Sequence, residues 1–290
     1  MTSSGQVFDL GYQPYDGERL GRPATRSAMM RDGLRRVAGF RRKARRKILP
    51  WSLAAIAILP AVVFLALSVI IGEALDTEDF FGPVQYFSFN AFFTLIFVAF
   101  ASAELMVPDR IYGTLQVYAS RPLSTTDYLV ARSGALAAVT LGFLFIPQLL
   151  LLLGEAAVSS DGFLSYLVDH LDILWKAALA SVVYMAASAP IALLVAALAA
   201  KASYSAGIFL GGIFIANGLS AGLVDADFPV FGLLSIGDHP GYVTDWIFDT
   251  SSETWIPERA GFDAWVSLAV IAVVAVACGY LLLRRYRRLM

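Results

Sequence analysis

Six stretches of this chain contain no Asp, Glu, Lys or Arg: 48–72, 80–103, 133–154, 177–200, 202–224 and 264–283. As α-helix, rising about 1.5 Å per residue, each reaches roughly 30 Å, the thickness of a bilayer's hydrocarbon core. A charged side chain at the centre of a span costs about 2.5–3.5 kcal/mol on insertion scales, so six uncharged runs in one chain read as membrane crossings. The expected fold is an all-α integral membrane protein. Its six transmembrane helices fall at about 50–72, 82–104, 126–154, 173–200, 203–224 and 263–283, with a longer connection at 225–262 and a short basic tail at 285–290.

The net charge of −1 conceals a strong asymmetry. With the N-terminus placed inside, the inner segments hold 20 of the 22 Lys and Arg, and the outer ones only Lys176 and Arg259. The outer segments hold 16 of the 23 acids. The positive-inside rule then places both termini in the cytoplasm and the protein in the cell membrane. The lone cysteine, Cys278, excludes an intramolecular disulfide. No short apolar region with a small-residue cleavage site opens the chain, so the first span is expected to anchor itself.

Residues 1–23 read as a turn-rich cytoplasmic leader. Segment 24–47 carries ten Arg or Lys against one acid, Asp32. Met30, Leu34, Val37, Phe40, Ala44 and Ile48 recur at three- and four-residue steps. That pattern predicts a basic amphipathic helix on the membrane surface, apolar face in lipid and arginines on anionic headgroups. The plainer alternative is a solvated charge run that only sets orientation. Membrane lipids are thus expected partners and nucleic acid is not. Pro60, Pro147 and Pro190 lie inside spans, as packing kinks or as hinges.

Between spans two and three runs ELMVPDRIYGTLQVYASR, Glu104 to Arg121. Pro108 and Asp109 suit the start of a short helix. Ile111, Leu115 and Tyr118 give it one apolar face, and Ser120-Arg121-Pro122 ends it. Gly113 inside such a helix costs about 1 kcal/mol against alanine and so wants a bend or a close approach as its reason. Ser124 and Asp127 form a candidate capping box ahead of span three. Spans four and five are joined by a tight turn at Lys201-Ala202-Ser203. Span five carries Gly207, Gly211, Gly218 and Gly222, a pattern that lets helices approach closely. The aromatics of 225–262, among them Phe228, Phe231, Trp246 and Trp255, suit short interfacial or re-entrant helices.

The sequence holds no phosphate-binding G-x-x-x-x-G-K-[ST] loop, no H-E-x-x-H and no Cys/His cluster of metal spacing. The spans contain no acid pair and no histidine for intramembrane proteolysis. An enzyme is therefore not expected, and no metal is assigned. Asp238 and His239 hold either a metal or proton role or, more simply, a loop turn. Asn90, Gln148 and Asn217 are the amides within spans. Each either bonds a neighbouring helix or lines a wet substrate path.

From Glu104 to Arg132 the sequence resembles the type-2 ABC exporter permeases, six-helix membrane subunits of bacterial exporters. The resemblance rests on Glu104, Asp109-Arg110, Gly113-Thr114, Arg121-Pro122, Tyr128 and Arg132, where lysine is common in place of Arg132. The leader GYQPYDGERLGR is similar to that of a subset of these permeases. The family resemblance implies a transmembrane subunit that pairs with a second permease subunit, identical or related. Two ATPase subunits, carrying ATP and Mg, would dock on a coupling helix formed by Glu104, Asp109, Arg110, Gly113, Thr114, Leu115, Arg121 and Pro122. A smaller contact would come from Lys201, Ala202 and Ser203. Glu104 is expected to pair with a cation of the interfacial helix. The uncharged interiors point to a hydrophobic or amphiphilic substrate. The alternatives are a cation or small inorganic exporter and a membrane sensor or scaffold partnered with an ATPase.

Overall fold

A computed structural model of the protein describes residues 21–40, 45–71, 82–119, 123–160 and 162–289. Most of the leader and the whole of 120–122, with Arg121 and Pro122, lie outside the described residues. The elements in chain order are α1 (Gly21–Val37), α2 (Arg45–Ile71), α3 (Pro83–Ile111), α4 (Thr114–Ala119), α5 (Thr125–Val158), α6 (Phe163–Asp169), α7 (Leu171–Leu198) and α8 (Ala202–Asp225). A 3-10 turn (Pro229–Leu234), α9 (His239–Ile247), α10 (Ile256–Arg259) and α11 (Ala264–Tyr286) complete it. No strand occurs among the described residues.

Five helices, α3, α5, α7, α8 and α11, are long and apolar enough to cross a membrane. The chain is therefore a multi-pass, all-helical membrane protein. The first expected span corresponds to α2, whose apolar part in the described residues is the shorter Lys47–Val63. The prolines at 60, 147 and 190 all lie inside continuous helices.

At the centre stands α7, which packs on α3, α5, α8, α9 and α11. Its sequence explains this. Ala177, Ala180, Ala187, Ala189, Ala192, Ala196 and Ala197 are buried, and small side chains let neighbouring helices approach closely in a membrane. By contrast α8 buries little of its surface, and its glycines 207, 211, 218 and 222 face open space. The close packing predicted for them is not with other described residues of this chain.

The two ends of the bundle differ in charge. At the basic end the foot of α3 and the start of α5 meet α1, and Arg285 of α11 donates to the Ala197 carbonyl at the end of α7 at 2.8 Å. At the acidic end, residues 226–263 fold over α7, α8 and α11 as a cap of short helices, in keeping with the expected short elements there.

Part of the apolar stripe of the basic segment, Met30, Leu34 and Val37, docks on protein at α5 and α3. Met29, Gly33 and Val37 are buried, and Met30 and Leu34 pack against the core, while Phe40 is exposed. Gly33 makes this possible. A Cβ there would sit 2.7 Å from Ala135 Cβ and 3.0 Å from Leu105 Cδ2. Gly33→Ala is expected to destabilise α1 docking by about 1–3 kcal/mol, as overpacking does. Thermal unfolding in detergent, with proteolysis of the 21–40 segment as a local readout, checks it.

Candidate functional site

The strongest cluster of polar chemistry lies where α1, α3 and α5 meet at the basic end. Its centre is Asp109, in the last turn of α3, with only 1% of its surface exposed. Arg132, on the second turn of α5 and fully buried, donates to Asp109 Oδ2 through Nη2 at 2.6 Å and Nε at 3.0 Å. Arg36 of α1 donates to Oδ1 at 2.6 Å. The Tyr128 hydroxyl donates to Oδ2 at 3.2 Å, and Thr114 Oγ1 reaches both the Asp109 carbonyl (2.9 Å) and Oδ1 (3.3 Å). Asp32 closes the set, accepting from Arg132 at 3.2 Å and from Arg36 at 2.8 Å. Two carboxylates face two guanidiniums, so the cluster is neutral.

Neutrality is what makes burial tolerable. An uncompensated buried ion costs several kcal/mol, whereas here nearly every charged oxygen meets a donor. Burial works against the charge on Arg36, but Asp109 and Asp32 beside it outweigh that and raise its pKa above the ordinary arginine value. A second ionic contact fixes the start of α1: Arg22 donates to Asp127 Oδ2 at 2.7 Å and Arg26 lies 3.4 Å from Oδ1. Asp127 is also the reciprocal partner of Ser124, so the predicted capping box is present.

The chain leaves this cluster abruptly. Helix α3 continues through Pro108 and Asp109 to Ile111 rather than ending before them, and Tyr112–Gly113 break it. Gly113 has φ +69°, and a Cβ there would meet nothing within 4 Å. The reason for a glycine is therefore its left-handed backbone, not a close neighbour. The helix after it, α4, is only six residues long. Leu115 turns inward and Tyr118 lies beside Tyr128, at 6.0 Å between rings, so the apolar face is used within the protein. What points outward is the tip: Ile111 is 52% exposed and Tyr112 77%.

The turn before α8 comes to the same place. An open groove of about 430 Å³ is lined by Arg36, Glu104, Val107, Asp109, Tyr112, Thr114, Lys201 and Ala202. Ser203, in the first turn of α8, is exposed. Lys201 lies over the Tyr204 ring at 5.4 Å. Arg110 donates to the Ala197 carbonyl, which also receives Arg285, so two cations cap the negative end of α7. The groove thus brings together Glu104, Asp109, Thr114, Lys201 and Ala202, while Arg110 bonds the end of α7 and Leu115 is buried in the core. The described ion pair between the basic helix and this connection is Arg36–Asp109, and Glu104 shares the groove with it. Asp32 and Arg36 are the site residues that sequence reasoning misses. The available signal is Asp32 itself, one acid among ten cations, which marks a specific partner.

The three amides do not converge. Asn90 Nδ2 donates to the Tyr86 carbonyl at 3.3 Å, and Gln148 Nε2 to the Pro83 carbonyl at 3.0 Å. Asn217 instead fastens the cap, donating to Asp238 Oδ1 at 2.9 Å and accepting from Gly237 N at 3.1 Å. Beneath the cap, among α3, α7 and α8, lies a small void lined by Thr94, Tyr184, Ser188 and Gly237. It has room for about a single water. His239 does not pair with Asp238. Its ring nitrogens meet Ser267 Oγ at 2.8 Å and the Leu233 carbonyl at 3.3 Å, and burial holds its pKa below the ordinary histidine value. It behaves as a buried neutral strut. Among the described residues no group of three His, Cys, Asp or Glu is placed to hold a metal.

Asp245 of the cap is unusual. It is 2% exposed, and its Oδ2 accepts from Ser252 Oγ at 2.6 Å and Trp255 Nε1 at 2.7 Å, while Oδ1 has no described partner. Burial pushes its pKa above the usual carboxylate value, against the pull of those two donors.

Comparison with known proteins finds no family model that matches the chain and no curated protein that resembles it. The class that the fold defines is that of a multi-pass helical membrane protein, with a neutral buried ion cluster bracing an exposed loop tip.

Asp109→Asn leaves two guanidiniums at the cluster against one carboxylate and is expected to cost about 3–5 kcal/mol of stability, with Asp109→Asn/Arg132→Met recovering part of it. Denaturation in detergent measures both. For Asp245, an acid whose folded pKa lies above its unfolded value contributes stability at low pH. That contribution is lost as pH rises from about 4 through the folded pKa. Asp245→Asn should therefore have a smaller fall in Tm between pH 4.5 and 7.5 than the parent chain, and a higher Tm at the upper pH.

Proposed function

We propose that this chain is the permease subunit of an ATP-driven ABC exporter. It works as a dimer with a second permease subunit and receives energy from two separate ATPase subunits. In this reading α2 supplies the sixth span, the basic end is cytoplasmic and the membrane is the cell membrane. The chain carries no phosphate loop of its own, so the energy of nucleotide binding has to arrive by contact. ATP and Mg would sit on the partner. The substrate is a hydrophobic or amphiphilic molecule, in keeping with spans that hold no charge at depth.

The observation that carries this reading is the juxtaposition at the basic end. The exposed tip Ile111–Gly113 and the Lys201–Ala202 turn share one open groove, and the Asp109 cluster braces the tip from behind. A docking surface for a moving partner needs that combination: apolar side chains exposed, and a rigid seat that does not yield when pushed. Of the residues that carry the resemblance, Asp109, Thr114, Tyr128 and Arg132 support it by meeting at this seat, and Arg110 by tying the foot of α3 to the end of α7.

The test is purification in mild detergent from native membranes, followed by identification of bound subunits. A P-loop ATPase is expected in near-stoichiometric amount. Tyr112→Asp at the tip should reduce its recovery about tenfold, the equivalent of about 1.4 kcal/mol, with Tm unchanged. Val273→Ala, on an exposed face of α11, should leave recovery as it was. A chain that never brings down an ATPase overturns the proposal.

A further inference from the structure

The connection between α5 and α7 contains a helix in which the other described residues bury no side chain. No residue of α6 is buried, although it is only seven residues long. A helix this short is not stable in water by propensity alone; it forms when one face is buried against something. Its apolar residues define that face. Leu164 (75% exposed), Val168 (66%), Leu171 (54%) and Trp175 (56%) recur at steps of four, three and four, from α6 into the first turns of α7. The stripe then continues at Leu179 and Val182, both exposed, along the body of α7.

The other face is polar and tied to the protein. The Tyr166 hydroxyl donates to Glu155 Oε2 at 3.1 Å, and its ring stacks on His170 at 4.0 Å. Asp172 pairs with Lys176 at 3.4 Å, and Lys176 lies 3.5 Å from Asp249 of the cap. The Tyr166–Glu155 bond holds α6 against the end of α5, and Lys176 ties the first turns of α7 to the cap, with the apolar stripe exposed.

Charges also set the level at which α6 lies. The uncharged run of α5 ends before Glu155 and that of α7 begins after Lys176. The hydrocarbon boundary at the acidic end therefore falls near these residues, with α6 just beyond it. Tryptophan is enriched at this depth, and Trp175 occupies it.

We propose that α6 lies in the headgroup–acyl boundary of the leaflet at the acidic end, with Leu164, Val168, Leu171 and Trp175 inserted among lipids. Continuity identifies the occupant: the same stripe runs without interruption into the exposed flank of a membrane-spanning helix. The lipid is zwitterionic or neutral rather than anionic. Asp169 and Asp172 lie in the segment that carries the stripe, and Lys176 is the one Lys or Arg between residues 133 and 200, the opposite of the Lys/Arg-rich face that binds anionic lipid. The inference rests on the membrane class of the fold and not on the transport reading, so each can fail alone.

The experiment places single cysteines at Leu164, Val168 and Asp169 in a Cys278→Ser background, labels them with an environment-sensitive fluorophore and reconstitutes the full chain in phosphatidylcholine vesicles. Labels at 164 and 168 should show blue-shifted emission and loss of intensity with lipids carrying a nitroxide near the headgroup end of the chain. The label at 169 should instead be quenched by aqueous iodide. In vesicles of equal phosphatidylcholine and phosphatidylserine, lipid quenching at 164 and 168 should weaken. Iodide quenching at 164 and 168 equal to that at 169 would place the stripe in water and overturn the proposal. Protection from both quenchers would also overturn it, in favour of a covering protein or second copy. Undiminished lipid quenching with phosphatidylserine would overturn the lipid preference.

Discussion

The Asp109 carboxylate, held between the guanidiniums of Arg132 and Arg36, is the interaction on which the basic end depends. It joins three helices through one residue. Arg132 brings α5, Arg36 brings α1, and Asp109 itself lies in the last turn of α3. Remove the acid and two guanidiniums share only the half-exposed Asp32, so the cost of burying them is incompletely offset. Apolar packing alone would hold these helices together but leave their register loose. The forked geometry of two arginines on one carboxylate fixes it. Through Tyr128, which stacks on Tyr286 at 5.3 Å, the same cluster reaches α11.

The location of this cluster follows from helix length. Helix α5, from Thr125 to Val158, is among the longest in the protein. At about 1.5 Å per residue it extends well past both faces of a hydrocarbon core of about 30 Å. Its uncharged run begins only after Arg132, so the first two turns project from the membrane at the basic end. Those turns give α1 a protein surface to lie along. The basic segment docks along this surface and just beyond it: Arg22 pairs with Asp127 on the projecting part of α5, while Gly33 and Met30 pack against Ala135 and Gly134 in the turn that follows. Amphipathicity specifies that a helix has a side to bury. It does not specify whether lipid or protein does the burying.

That distinction marks how far the sequence can be read. Charge-free runs place the five long apolar helices, because one buried charge costs more than most local preferences can offset, and the Ser124–Asp127 box is legible because capping is local. The end of α3 is not. Pro108-Asp109 is a good helix start by composition, yet tertiary bonds to Arg132 and Tyr128 keep Asp109 within the preceding helix. Gly113 is readable as special, but its left-handed φ depends on where α3 stops. Asn90, Gln148 and Asn217 look equivalent in sequence. Only the fold separates the first two, bonded to backbone carbonyls, from Asn217, which fastens the cap. Asp32 and Arg36 are far in sequence from Arg132 and Asp109, the groups they bind. Pairing at that range is beyond the three- and four-residue steps that a helix pattern encodes.

A rigid seat matters for the proposed mechanism because a push is useful only if it is transmitted. Helix α3 carries the tip at one end and, towards the other, Thr94, Leu95 and Ala91 on the small void beneath the cap. Between and around them Phe97 stacks on Phe143 of α5 at 4.5 Å and Phe87 on Tyr184 of α7 at 5.6 Å. A displacement of Tyr112 that the Asp109 cluster did not resist would be lost in bending the loop. With the cluster in place, it acts on α1, α3 and α5 together, and α3 leads directly to the residues that the cap covers. Asn217 holds that cap through Asp238 from α8, whose first turn lies in the same groove as the tip. Both helices that meet at the groove therefore also carry residues that reach the cap. In a permease, those are the two routes by which contact on one side of the membrane would open a path on the other.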